Sequence, residues 1–165
     1  MPIFETLVSA LEPWKDLYSG STALSVTLTF AHLGSMMVGG GLAIAADRTV
    51  LKAGTPADAK GRLAIADTVG DVHRPVVLAL VVSGISGSLQ LAADLETFAV
   101  NKVMWVKIAL LVILSVNGFL MLRDEKAVRR DAGSVKAFRA LRVRAITSVV
   151  LWLAITLAGV GLMQS

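Results

Sequence analysis

Cysteine is absent from this chain of 165 residues, which excludes disulfides, thiolate metal sites and thiol chemistry, so any redox role has to be borrowed from a cofactor. Histidine occurs only twice, as His32 and His73. The first twenty residues lack the positively charged start and apolar core of a cleavable leader: Glu5, Glu12 and Asp16 stand against a lone Lys15, and the first helix is expected to be retained. Charge is also nearly missing from the long apolar stretches, which leaves no foothold for a transport pathway or a voltage sensor.

What the chain has in excess is hydrophobicity. At 55% hydrophobic residues and a mean hydropathy of +0.72 it is too apolar for a soluble domain of this length. Ser21–Ala46, Pro75–Ala93, Val103–Leu122 and Ala145–Met163 each approach or exceed the roughly 20 residues needed to cross the hydrocarbon core as helix. The expected fold is an all-α integral membrane protein, an antiparallel four-transmembrane-helix bundle with an amino-terminal interfacial helix. It reads as a single membrane domain over 1–165, with an interfacial segment 1–20, spans near 21–46, 75–95, 103–122 and 145–163, and loops 47–74 and 123–144.

Arg48, Lys52, Lys60, Arg62 and Arg74 lie between spans one and two. Arg123, Lys126, Arg129, Arg130, Lys136, Arg139, Arg142 and Arg144 lie between spans three and four. The other two exterior segments are poor in base, so the positive-inside rule puts both basic loops in the cytoplasm and both termini outside. The net charge of +4 is thereby read as a topological determinant that also touches anionic lipid, not as a nucleic-acid site. Ile3, Leu7, Ala10, Leu11 and Trp14 share one face of a helix that could lie flat at the exterior surface, with Pro13 expected to kink or restart it and Trp14 and Tyr18 placed as interfacial anchors; a plain docking segment is the favoured reading. Gly54, Pro56 and Gly61 mark a break in the first loop, followed by a short helical stretch around Arg62–Val69. The second loop looks like an extension of spans three and four.

Span one carries Gly34, Gly39, Gly40 and Gly41, and span two carries the small-xxx-small pairs Ser83 with Gly87 and Gly84 with Ser88. Such residues let helix backbones approach closely; alternatively Gly39 and Gly40 make room for a flat cofactor. The glycine run sits inside an apolar helix, not between a strand and a helix, so it is no phosphate cradle.

The one imidazole inside span one is the sharpest chemical signal, because an ionisable group at bilayer depth is costly and marks a functional site by default. His32 falls about 15 Å from the outer edge, level with Gly84 and Ile85, Ile113 and Leu153. It could ligate a haem b or another tetrapyrrole, pair with Met36 at i+4 as a nitrogen-sulfur contact for Cu(I), or donate a structural hydrogen bond across a helix interface. His73 lies at the cytoplasmic edge, too far away to clasp the same iron. Gln90 and Lys107 fall at shallow exterior depth, where Lys107 is expected to snorkel outward. Asn117 approaches the level of His73 and Arg48, either as part of a polar cluster for a propionate or phosphate or as an interhelical hydrogen bond.

The stretch TFAHLGSMMVGGGLAIAADRTVLKAG resembles the first helix of small bacterial membrane proteins related to copper-resistance protein D and to HemJ-type protoporphyrinogen oxidases. SGISGSLQLAADLETFAVNKVMWVKIALLVILSVNGFLMLR resembles their second and third helices. The nearest likeness is to the uncharacterised four-helix members of that broad group. The resemblance implies a haem- or tetrapyrrole-associated bundle in the bacterial inner membrane. His32 then stands in the position of the group's first-helix histidine, and Lys107 in that of its third-helix lysine. Asn117 stands where related proteins often carry a late third-helix histidine. The expectation is haem b binding for electron transfer or haem-linked chemistry. The alternatives are a non-catalytic subunit packing into a larger membrane complex or homo-oligomer, and copper handling.

Overall fold

A computed structural model describes residues 2–56 and 58–162, and among them every regular element is helical. The order is α1 (Pro2–Gly20), α2 (Thr22–Lys52), α3 (Ala59–Ala93), α4 (Leu95–Val100), α5 (Lys102–Arg130) and α6 (Val135–Leu162). Four of these, α2, α3, α5 and α6, are long and apolar enough to cross a membrane. No more than 28% of any of their apolar windows is buried inside the chain. Phe30, Met37, Phe119 and Leu157 stand on that outer surface, an inside-out distribution that lipid contact accounts for and water does not.

The helices begin and end where local chemistry dictates. The Ser21 hydroxyl accepts the Leu24 N–H at the start of α2, and the Asn101 side chain accepts the Val103 N–H at the start of α5, each satisfying an orphan amide of a first turn. Gly54 ends the α2 connection with φ of 63°, a conformation that a side chain would strain.

The main departure from the sequence reading is length. The expected loop 47–74 is mostly helix: α2 runs on to Lys52, and α3 starts at Ala59 and passes through Pro75 without interruption. The break is confined to a short connection around Gly54 and Pro56, and Gly61 lies within α3. Likewise α5 and α6 extend to a turn at 131–134. At about 1.5 Å per residue these helices reach roughly 42–52 Å, well beyond a hydrocarbon core of about 30 Å. The extensions are stable because they bury a core of their own, formed by Val50, Ala66, Val69, Val128, Phe138, Leu141 and Ala145. A second cluster of Leu114, Leu151, Trp152 and Ile155, flanked by Met36 and Ala43, lies within the apolar part. The expected end of the last span at Met163 lies outside the described residues.

The two hairpins α2–α3 and α5–α6 are each closely packed, and α2 also rests on α6, whereas α3 and α5 touch more sparsely. At the end of the basic connections Arg62 ties the hairpins together. Its guanidinium, 5% exposed, donates from Nε to the Ala132 carbonyl at 2.6 Å and from Nη1 to the Pro56 carbonyl at 2.6 Å, and Nη2 faces the Gly133 carbonyl at 3.5 Å. A base counted as a topological charge is thus a buried clasp. Nearby, Arg129 bridges Asp67 on α3 at 2.6 Å and pairs with Glu125 on its own helix. Gly70 leaves the space for it, since a Cβ there would meet Arg129 Nη2 at 2.6 Å.

α1 runs unbroken through Pro13, so the helix does not restart there. Trp14 Nε1 donates to the Leu89 carbonyl at 2.9 Å and Lys15 pairs with Glu96 at 3.4 Å. Both contacts dock α1 onto the far ends of α3 and α4.

Candidate functional site: a polar-ended cavity and a buried histidine node

Two polar places interrupt the apolar interior, and α2 carries a residue of each. His32 belongs to the first. Its Nδ1 lies 2.9 Å from the Ser83 carbonyl oxygen and 3.3 Å from Ser83 Oγ, and its Nε2 lies 3.5 Å from Lys107 Nζ. The carbonyl can only accept and the ammonium can only donate, so the arrangement suits a neutral imidazole with the proton on Nδ1. Gly87 makes the seat: a Cβ there would stand 2.8 Å from His32 Cε1. The small-xxx-small pair Ser83 and Gly87 therefore receives an imidazole between α2 and α3.

His32 and Lys107 are brought together, although counting along the helices put Lys107 nearer the exterior and Ile113 level with the ring. The difference is the reach of a four-carbon side chain, which here turns inward to the imidazole instead of outward to water. As packed, the Nε2 that would face an iron is instead opposed by the Lys107 ammonium. Met36 packs with the Leu114, Leu151, Trp152 and Ile155 cluster. Among the described residues no group of three or more His, Asp or Glu gathers as a metal site.

Gly39 and Gly40 also have occupants. A Cβ on Gly39 would lie 2.9 Å from Ala79 Cβ, and one on Gly40 would lie 3.0 Å from Trp152 Cε3. The flat group that fills the space beside Gly40 is the indole of Trp152, itself 3% exposed.

The second polar place is a cavity of about 430 Å³ where α3 and α5 part, within the usual range for small-molecule sites. Val76, Val77, Leu80, Val81, Leu114 and Phe119 supply apolar wall, and Trp152 closes part of the back. Val77, Val81 and Phe119 are also exposed on the outer face, so the cavity opens sideways between the two helices. Its polar residues are Asp47, His73, Ser115, Asn117 and Ser148. His73 and Asn117 both line it, while Arg48 is exposed and does not. Asn117 donates from Nδ2 to the Arg144 carbonyl at 3.1 Å, an interhelical hydrogen bond to α6.

Asp47 escaped the sequence reading, which assigned it to a loop. It is 1% exposed, with Ser148 beside it, and its Oδ2 has no hydrogen-bond partner, nor has Asn117 Oδ1. The signal that could have revealed it is helical spacing: Asp47 follows Ala43 by four and precedes Val50 by three, which places it on the inward stripe once α2 is extended. Two buried acceptors without donors are costly where they stand, and such groups call for an account.

Comparison with protein families, curated proteins and solved structures finds no match.

Proposed function

We propose that this protein is a multi-pass protein of the bacterial cytoplasmic membrane that binds a lipid-soluble small molecule in the cavity between α3 and α5. In this reading the helices form an antiparallel four-helix bundle with the basic connections inside and both termini outside. The bases flanking the α2–α3 and α5–α6 connections support that orientation. The observation that carries the binding reading is the cavity itself, with its apolar wall and its gathered polar residues Asp47, His73, Asn117 and Ser148. Gly118 lines it and has no atom within 4 Å of where a Cβ would stand, so Gly118→Trp can be accommodated and is expected to obstruct the cavity. Organic extracts of the purified wild type should contain an amphipathic compound that extracts of Gly118→Trp lack. Identical extracts from the two would overturn the reading.

The resemblance favours a tetrapyrrole held through His32, with electron transfer or haem-linked chemistry as the role; the cavity offers a second place for such a cofactor. The support for that second place is that His73 and Met121 both line the cavity wall. These are a nitrogen and a sulfur donor of the kind a haem iron accepts. A bound haem would supply one-electron chemistry. In this reading His73 and Met121 hold it, and His32 fixes the packing of α2 on α3. Absorption spectra with and without dithionite test it: a Soret band lost in His73→Ala and retained in His32→Ala supports this assignment, and no band in wild type removes it.

The reading as an accessory subunit is favoured by Gly84 and Ser88, a small-xxx-small pair that stays exposed on α3. The mass of the particle in mild detergent decides that, since a lone monomer contradicts it.

A further inference from the structure

The cavity opens between α3 and α5, and both helices carry unpaired bases at the end nearer the basic connections. Arg74 precedes Val77 by three residues on α3, Arg123 follows Phe119 by four on α5, and Lys126 follows Leu122 by four. That spacing sets each base one turn beyond a residue that lines the cavity, on the same flank of its helix. Arg74, Arg123 and Lys126 are all exposed, and among the described residues none makes an ion pair or a hydrogen bond. The nearby acids are engaged elsewhere: Asp67, Asp71 and Glu125 gather around Arg129, and Asp124 faces Arg144 at 3.5 Å. Lys126 on α5 is near enough to His73 on α3 for its charge to act across the gap. Further along, the wall is Val76, Val77, Leu80, Val81 and Leu114, about 12 Å of apolar surface from His73 to Val81. A negative charge is matched only at the rim, and a hydrocarbon chain only beyond it.

We infer that the occupant of this cavity is an anionic lipid of the cytoplasmic leaflet, with one acyl chain along the valine and leucine wall and its phosphate between Arg74 and Arg123. A guanidinium on each side suits the several oxygens of a phosphate. Arg74 directly precedes one apolar run and Arg123 directly follows another, the depth at which hydrocarbon gives way to head groups. The inference rests on the reading of the cavity as a small-molecule site with the basic connections inside, and it assigns the chemical class of the ligand.

Trp152 lines the cavity and is one of three tryptophans, so Trp14→Phe with Trp105→Phe leaves it as sole reporter. Should that parent unfold, the difference between wild type and Trp152→Phe reports the same indole. The protein is reconstituted in dioleoylphosphatidylcholine vesicles, and a rising fraction of the lipid is replaced by phosphatidylglycerol or phosphatidylcholine brominated on the acyl chains. Bromine quenches indole at contact, and the two probes differ only in their heads. Phosphatidylglycerol is expected to bind about tenfold or more tightly than phosphatidylcholine, since each base beside anionic lipid is worth about fivefold. Arg74→Gln with Arg123→Gln should remove that preference. Lys52→Gln with Lys136→Gln takes the same charge from exposed positions that do not line the cavity and should keep it. Equal quenching by both lipids in the parent, a preference that survives Arg74→Gln with Arg123→Gln, or one lost alike in both double variants overturns the anionic assignment and leaves a binding cavity standing. No quenching by either lipid overturns the cavity reading itself.

Discussion

Three consecutive glycines on α2 should respond to alanine with opposite signs. A methyl on Gly39 would stand 2.9 Å from Ala79 Cβ, and one on Gly40 would stand 3.0 Å from the Trp152 ring, whereas Gly41 has nothing within 4 Å. Carbon atoms rest at about 3.5–4.0 Å, so Gly39→Ala forces α2 and α3 apart by roughly 0.6 Å or more. Overpacking of this kind costs about 1–3 kcal/mol. Replacing glycine inside a helix returns about 1 kcal/mol, which leaves Gly39→Ala and Gly40→Ala destabilised by about 1 kcal/mol. Gly41→Ala receives the helix gain alone and should be stabilised by up to about 1 kcal/mol. Unfolding in dodecylmaltoside with a rising fraction of dodecyl sulfate, followed by far-ultraviolet circular dichroism, measures the series. The expected order is Gly41→Ala above wild type and the other two below it, a spread of about 2 kcal/mol. If all three shift alike, the close approach of α2 to α3 and to Trp152 is not what those glycines serve.

Other outcomes follow from single contacts. Arg62→Lys cannot reproduce a planar fork on separate carbonyls, and it should lose about 1.5–3 kcal/mol in the same titration while the connections 53–58 and 131–134 become sensitive to protease; unchanged cleavage would contradict the clasp. His32→Ala removes the partner of Ser83 and Lys107 and opens a gap at Gly87, with a cost of about 2 kcal/mol or more. It should leave any retained small molecule in place, and loss of ligand with unaltered stability would return His32 to the binding role. Gly84→Leu puts bulk on an exposed α3 position and should leave the stability of an isolated chain within about 0.5 kcal/mol, so a fall in particle mass would identify that face as an interface between chains.

The four apolar runs were legible because crossing a bilayer demands about 20 apolar residues, a constraint written one residue at a time. The ends of the helices were not, since α2 and α3 continue through AADRTVLK and around Arg62–Val69 on the strength of Val50, Ala66, Phe138 and Leu141 packing together. That is a contact between distant segments which no local pattern records. His32 stood out as a polar residue within an apolar helix. Its partners could not be read, because the level of Lys107 depends on where α5 begins and on how far its side chain reaches. His73 and Asn117 were placed near each other by depth alone. Asp47 was hidden by the assumption that the first charge after an apolar run marks the membrane edge, and the indole that fills the space beside Gly40 comes from over a hundred residues further on.

The reach of Arg62 also orders events during biosynthesis. Its two acceptors at Ala132 and Gly133 are made some seventy residues after it, so the first hairpin enters the membrane with that cation unfinished and hydrated. Only arrival of the second hairpin's turn completes it. The side chain thus acts as a late checkpoint: in a product truncated before Ala132 the guanidinium would keep Pro56 but lack the carbonyls of the second hairpin's turn.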